Sequence, residues 1–123
     1  MAFVSGTLLT ATAGAEASST DAGTPAELGA NVNDYDAGTH FMQRWSSDAS
    51  RNVTGMVAGA DSEARLVWNV GAQNIVLKHE DVASAAANRW KSATGADLTL
   101  AANKCALAQY DATTARWRVT LLP

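Results

Sequence analysis

The residues best equipped for chemistry fall in the stretch NVGAQNIVLKHEDVASAAANRW, Asn69 to Trp90. Its middle sets His79, Glu80 and Asp81 side by side. An imidazole beside two carboxylates is raw material for general acid–base catalysis or for a metal site. The spacing argues against both. Ile75, Leu77 and His79 share one face of a strand at period two, so Glu80 projects to the other face and the two groups do not converge on one substrate atom. The second histidine, His40, lies far off in a small-residue region, and there is no HExxH motif and no Cys–His pairing. His79 therefore reads as a strand-end residue that forms hydrogen bonds. A glycoside hydrolase needs two carboxylates about 5–10 Å apart across a cleft, and the adjacent Glu80 and Asp81 are poorly placed for that. No GxSxG elbow marks a serine nucleophile. Cys105, next to Ala106 and Leu107, reads as a buried, inert thiol. Gly55, Gly59, Gly71 and Gly95 lie in separate turns and cradle no phosphate. No catalytic, cofactor-binding or metal-ligating residue is assigned.

The elements that would position any site must come from 123 residues, enough for one domain or a domain with an appendage. Charged residues make up 17% and the net charge is −3, which provides no electrostatic footprint for nucleic acid or an anionic membrane. No apolar run reaches the roughly 18 residues of a membrane span. One cysteine precludes an internal disulfide and a zinc finger. The first residues, MAFVSGTLLTATAGAEA, lack the positive start of a secretory signal and read as mature sequence made in a reducing cytoplasm.

Composition changes near His40. In residues 1–40, Ala, Gly, Ser and Thr fill 23 positions, and the five charges, Glu16, Asp21, Glu27, Asp34 and Asp36, are all acidic. Such a segment buries too little apolar surface to offset its own ordering entropy and is expected to be an extended arm unless a partner orders it. Its apolar points, Phe3, Val4, Leu8, Leu9, Leu28, Val32 and Tyr35, are candidate partner anchors. Residues 41–123 carry Trp45, Trp68, Trp90 and Trp117 and all nine basic residues against seven acidic ones, a net of +2. The folded body is expected there, small enough that oligomerisation would help it. RLVWNV sets Leu66, Trp68 and Val70 against Arg65, Val67 and Asn69. NIVLKH, KCALAQY and RWRVTLL alternate in the same way, with turn-like connectors VGAQN, TGAD and DATTAR. The expected fold is all-β, a small antiparallel β-sandwich or barrel, jelly-roll-like, with an extended N-terminal arm. VASAAANRW could hold a helical turn capped by Asp81, or a structured loop. The tryptophans read as core or subunit packing, with an exposed pair for glycan as the rival reading.

RWSSDASRNVTGM, LVWNVGAQNIVLKHED, SAAANRW and TGADLTLAANKCALAQYDATTARWRV together resemble a small β-domain that recurs in structural proteins of tailed bacteriophages, in tail fibres, other appendages and head decoration proteins. The pattern falls on Ser47, Asp48, Arg51, Val53, Thr54 and Gly55; on Val67, Asn69, Gly71, Ile75 and Leu77; and on Ser84, Ala86, Asn88, Arg89, Leu98, Leu100, Tyr110, Asp111, Arg116, Trp117 and Arg118. It departs at Val67, where Leu is expected, and at Asp61-Ser62, where Asp-Gly is expected, which bears on the local turn. The resemblance implies a virion role without catalytic residues or cofactors. It implies a homotrimer bound to the major capsid protein or another virion protein and assembled in the host cytoplasm; the charge balance already leaves neither nucleic acid nor membrane as an expected partner. A short chain without a fibrous shaft favours a capsid decoration (cement) protein over the alternative, a tail-fibre or tail-tip module binding a host receptor or glycan.

Overall fold

The computed structural model describes residues 22–123. The strands are β1 (Met42–Trp45), β2 (Arg51–Val53), β3 (Ala64–Asn69), β4 (Ile75–Leu77), β5 (Trp90–Ser92), β6 (Leu98–Leu100), β7 (Cys105–Asp111) and β8 (Arg116–Leu121). The protein is all-β: a five-stranded sheet in the order β1-β3-β7-β8-β5 faces a three-stranded sheet in the order β2-β4-β6, consistent with a small β-sandwich. The expected helical turn in VASAAANRW is a single 3-10 turn at Ala86–Asn88, while Asp81 accepts a hydrogen bond from the backbone N–H of Ala83 at 2.9 Å.

Both sheets are mixed. β1 with β3, β2 with β4 and β5 with β8 pair in parallel, whereas β3 with β7, β7 with β8 and β4 with β6 are antiparallel. From β1 to β7 each successive strand crosses to the other sheet. β1 and β3, and likewise β2 and β4, are joined through an excursion long enough to return the chain to the same end, as their parallel pairing requires; β4 and β6 are joined through a similar excursion but pair antiparallel.

The inward rows form the core. Val67, Ala106, Ala108, Tyr110, Trp117 and Val119 of the larger sheet meet Val53, Ile75, Leu77, Leu98 and Leu100 of the smaller one. Trp45, Trp90 and Trp117 are at most 1% exposed. A buried indole must keep a partner for its N–H, and each does. Trp45 donates to Gln43 Oε1 at 2.8 Å, Trp90 to the Val53 carbonyl at 3.0 Å, and Trp117 to the Met56 and Val57 carbonyls at 3.0 and 3.2 Å. The last two tie one sheet to the segment that follows β2.

Residues 22–40 lie along this body. Parallel bridges join Gly23 to Gln43, Leu28 to Ser47, Val32 to Val53 and Tyr35 to Met56. The segment thereby satisfies the outer backbone groups of β1 and then of β2, edges that would otherwise be open to another chain. Leu28 and Ala37 are each 7% exposed within the core, and the Tyr35 ring meets Trp45 edge-on at 5.0 Å.

Candidate docking surface

The opening trio does not assemble into a catalytic group. His79 sits just past β4, where its Nδ1 faces the backbone N–H of Ser92 at 3.0 Å and its own N–H donates to Asp97 Oδ1 at 2.8 Å. It thus ties the end of the smaller sheet to β5. Glu80 adopts a left-handed φ of 49° and turns towards Arg116 Nε at 2.9 Å and Lys91 Nζ at 3.4 Å. Burial works against its carboxylate, but those two cations outweigh it and hold the pKa below the usual value. Asp81 is engaged in its own turn, His40 borders Gly23, and Cys105 is buried. Among the described residues no three His, Cys, Asp or Glu side chains are grouped to hold a metal ion, and no helix is long and apolar enough to cross a membrane.

The motif residues carry the internal hydrogen bonds of the domain. Asn69 is 0% exposed and uses three of them: Nδ2 donates to the Gln73 and Leu100 carbonyls at 2.7 and 2.8 Å, and Oδ1 accepts from Gly71 N–H at 3.0 Å. Ser84, 1% exposed, lies at the centre of a second network. Its hydroxyl meets Thr54 Oγ1 at 2.7 Å and accepts from Asp34 N–H at 2.9 Å, and Asp34 in turn accepts from Ala85 N–H and Asn88 Nδ2 at 2.8 and 2.9 Å. Those two donors hold the Asp34 carboxyl below its ordinary pKa, Asn88 the more strongly. Gly55 is required by this crowding, because a Cβ there would lie 2.5 Å from the Asn88 carbonyl and 2.6 Å from Ser84 Oγ. Arg89 Nε donates to the Ser84 carbonyl at 3.0 Å, and Tyr110 OH to the Ala87 carbonyl at 2.8 Å. Asp111 pairs with Arg118 at 2.8 Å. The expected Asp-Gly turn is built by Ser62 in its place, at a φ of 70° that glycine would adopt without strain.

The candidate anchors divide into two groups. Phe3, Val4, Leu8 and Leu9 lie outside the described residues. Leu28 is in the core, and Val32 and Tyr35 pack against it, so their contacts are made within the chain.

A candidate surface is the outer face of the five-stranded sheet. Strand register sets Met42, Leu66, Leu107 and Thr120 in one row across β1, β3, β7 and β8. Arg44, Trp68 and Cys105 form the next row, and Ala64, Gln109, Arg118 and Lys91 a third. Met42 is 37% exposed, while Leu66, Trp68 and Leu107 are partly buried. Towards β5 the face opens into a depression of about 300 Å³ where Lys91, Gln109, Arg118 and Thr120 border Leu107 and Val119. Sequence reasoning missed this face because its apolar alternation imitates a core. In β3 the inward residues are Arg65, Val67 and Asn69, while Leu66 and Trp68 point out. Arg65 is 3% exposed, with its guanidinium 4.8 Å from the Trp117 ring and 2.6 Å from Glu63. The only advance signal was the pair of polar residues, Arg65 and Asn69, on the face opposite Leu66 and Trp68. No family model, curated protein or solved structure matches the chain.

Proposed function

We propose that the chain is a structural protein of a tailed-bacteriophage virion, a capsid decoration protein that binds the outside of the head as a homotrimer and stabilises it. The observation that best supports this reading is how the motif residues are used. Asn69, Ser84, Asn88, Arg89, Tyr110 and Trp117 all build the domain, and their polar groups are bonded to the chain's own backbone or side chains. A domain built this way offers surfaces rather than a reaction centre. The partners would be further copies of the chain and the major capsid protein, with Phe3, Val4, Leu8 and Leu9 contributing anchors from the N-terminal segment. No catalytic residue, cofactor or metal is assigned, and neither nucleic acid nor membrane is a partner in this reading. Assembly would follow synthesis in the host cytoplasm. Binding to assembled shells alone would stabilise them by mass action.

One observation favours a second reading. Trp68 is the single tryptophan that reaches the surface, and Arg44 and Met42 flank it. An outward indole beside a guanidinium is a usable platform for a sugar ring, which would suit a tail-fibre or tail-tip module that recognises a host glycan. Co-sedimentation separates the two. Labelled protein is mixed with heads stripped of decoration and, separately, with host cells. The decoration reading expects pelleting with heads that saturates at a fixed ratio to the major shell protein. Pelleting with cells alone would overturn it in favour of the tail reading.

A further inference from the structure

We infer that the N-terminal segment docks on the outer face of the five-stranded sheet of its own chain, with Phe3, Val4, Leu8 and Leu9 covering Met42, Leu66, Trp68 and Leu107. This seat belongs to the free subunit and does not depend on the virion reading. Three observations favour this occupant.

The first is where the described chain begins. Gly23 is hydrogen-bonded to the edge of β1, its N–H to the Met42 carbonyl at 2.9 Å and its carbonyl to Arg44 N–H at 2.8 Å. The preceding residues therefore leave from the border of the apolar rows. Thirteen residues lie between Leu9 and Gly23, so fourteen chain steps reach up to about 46 Å when extended. The distance to cover is two strand spacings, from β1 to β7, or about 10 Å. A tether that exceeds the span keeps the segment at a millimolar-scale effective concentration, so weak intrinsic affinity suffices and the chain's own segment outcompetes a second copy at low concentration.

The second is composition. Apart from Met1, the large apolar residues of 1–21 are Phe3, Val4, Leu8 and Leu9, in two short pairs. The face offers two adjoining apolar centres to receive them, Met42–Leu66–Leu107 in one row and Trp68 in the next. The third is charge. The segment's only charged side chains are Glu16 and Asp21. Arg44, beside Trp68 in register, pairs with no carboxylate among the described residues.

The tryptophans supply a built-in probe, since three of the four are at most 1% exposed and only Trp68 looks outward. Acrylamide quenching of tryptophan emission is measured on the full chain, on Trp68→Phe, and on the double variant Leu8→Asp/Leu9→Asp. Leu8 and Leu9 lie outside the described residues, and the urea midpoint of the double variant reports that the sandwich stays folded. The expected result is that the full chain quenches as weakly as Trp68→Phe, independently of protein concentration. The double variant gains a quenchable component attributable to one tryptophan in four. A quenchable component already present in the full chain and unchanged in the double variant overturns the inference, because the face is then open. Shielding that survives in the double variant, or that appears only as concentration rises, also overturns it and assigns the face to a second copy of the chain.

Discussion

Asn69→Ala tests how far the fold depends on one side chain. Asn69 is fully buried at the end of β3, and its three hydrogen bonds join the five-stranded sheet to β6 and to the turn at Gly71–Gln73. Truncation leaves the Leu100 carbonyl without a donor in the interior, which costs about 1–3 kcal/mol. The Gln73 carbonyl and Gly71 N–H lie nearer solvent and can recruit water, so each loses only about 0.5–1 kcal/mol. Together these come to about 3 kcal/mol, equivalent to a fall of about 10–20 °C in Tm for a domain of this size. Asn69→Asp should be worse than Ala at neutral pH, because a carboxylate would face two carbonyl oxygens that it cannot donate to. Urea unfolding followed by tryptophan emission measures both, with the m-value checking that the unfolded reference is unchanged. A loss below about 1 kcal/mol for Asn69→Ala, or Asp as stable as Ala at pH 7, would refute the reasoning.

Three further outcomes follow from the same geometry. Glu63→Gln leaves the Arg65 guanidinium buried over Trp117 without its carboxylate and should cost about 2–3 kcal/mol, read from thermal unfolding. Ser62→Gly relieves the left-handed φ of 70° and should raise stability by about 0.5 kcal/mol, since strain relief of about 1 kcal/mol is partly cancelled by the freer unfolded chain; a loss of stability would show that the Ser62 side chain contributes to the turn. Asp34, Asp48, Glu63, Glu80, Asp97 and Asp111 all have pKa values lowered by hydrogen bonds or ion pairs in the fold. A lowered folded-state pKa gives stability that is complete above the unfolded value and is lost as pH falls through the folded one. The urea midpoint should therefore be unaffected by these groups from pH 7 to 5 and fall below about pH 4.

The sequence disclosed strands where alternation runs long enough to be counted. Arg65–Asn69, Cys105–Tyr110 and Arg116–Leu121 all lie in strands at the expected places. It did not disclose MQRW, RNV or WKS, which become β1, β2 and β5 through pairing with distant partners, because three or four residues with mixed polarity carry no readable period. Nor could it tell which face of β3 points inward. Polar Gln43, Arg65, Asn69 and Ser92 all occupy the buried side, each with a bonded partner there, whereas Leu66 and Trp68 do not. Burial follows the partners a side chain finds in three dimensions as much as its transfer energy. The parallel pairings of β1 with β3 and of β2 with β4 were equally hidden, since each joins strands separated by an excursion into the other sheet. Composition indicated that the Ala/Gly/Ser/Thr-rich N-terminal region needs something to order it. For residues 22–40 that something is the chain's own body, through backbone bridges at Gly23, Leu28, Val32 and Tyr35 that no side-chain pattern announces. That His79 forms hydrogen bonds at a strand end was legible from its place after Ile75 and Leu77. The outer apolar face was not, because it looked like core.

The measurement that bears most directly on the proposed role is the stability of the head itself. DNA-filled heads stripped of decoration are heated with increasing amounts of the full chain, and DNA release is followed by a dye that reports freed DNA. A decoration protein should shift the release midpoint upward with concentration until its sites are filled, and excess protein should add nothing further. A midpoint that stays where it was at saturating protein would contradict the decoration role.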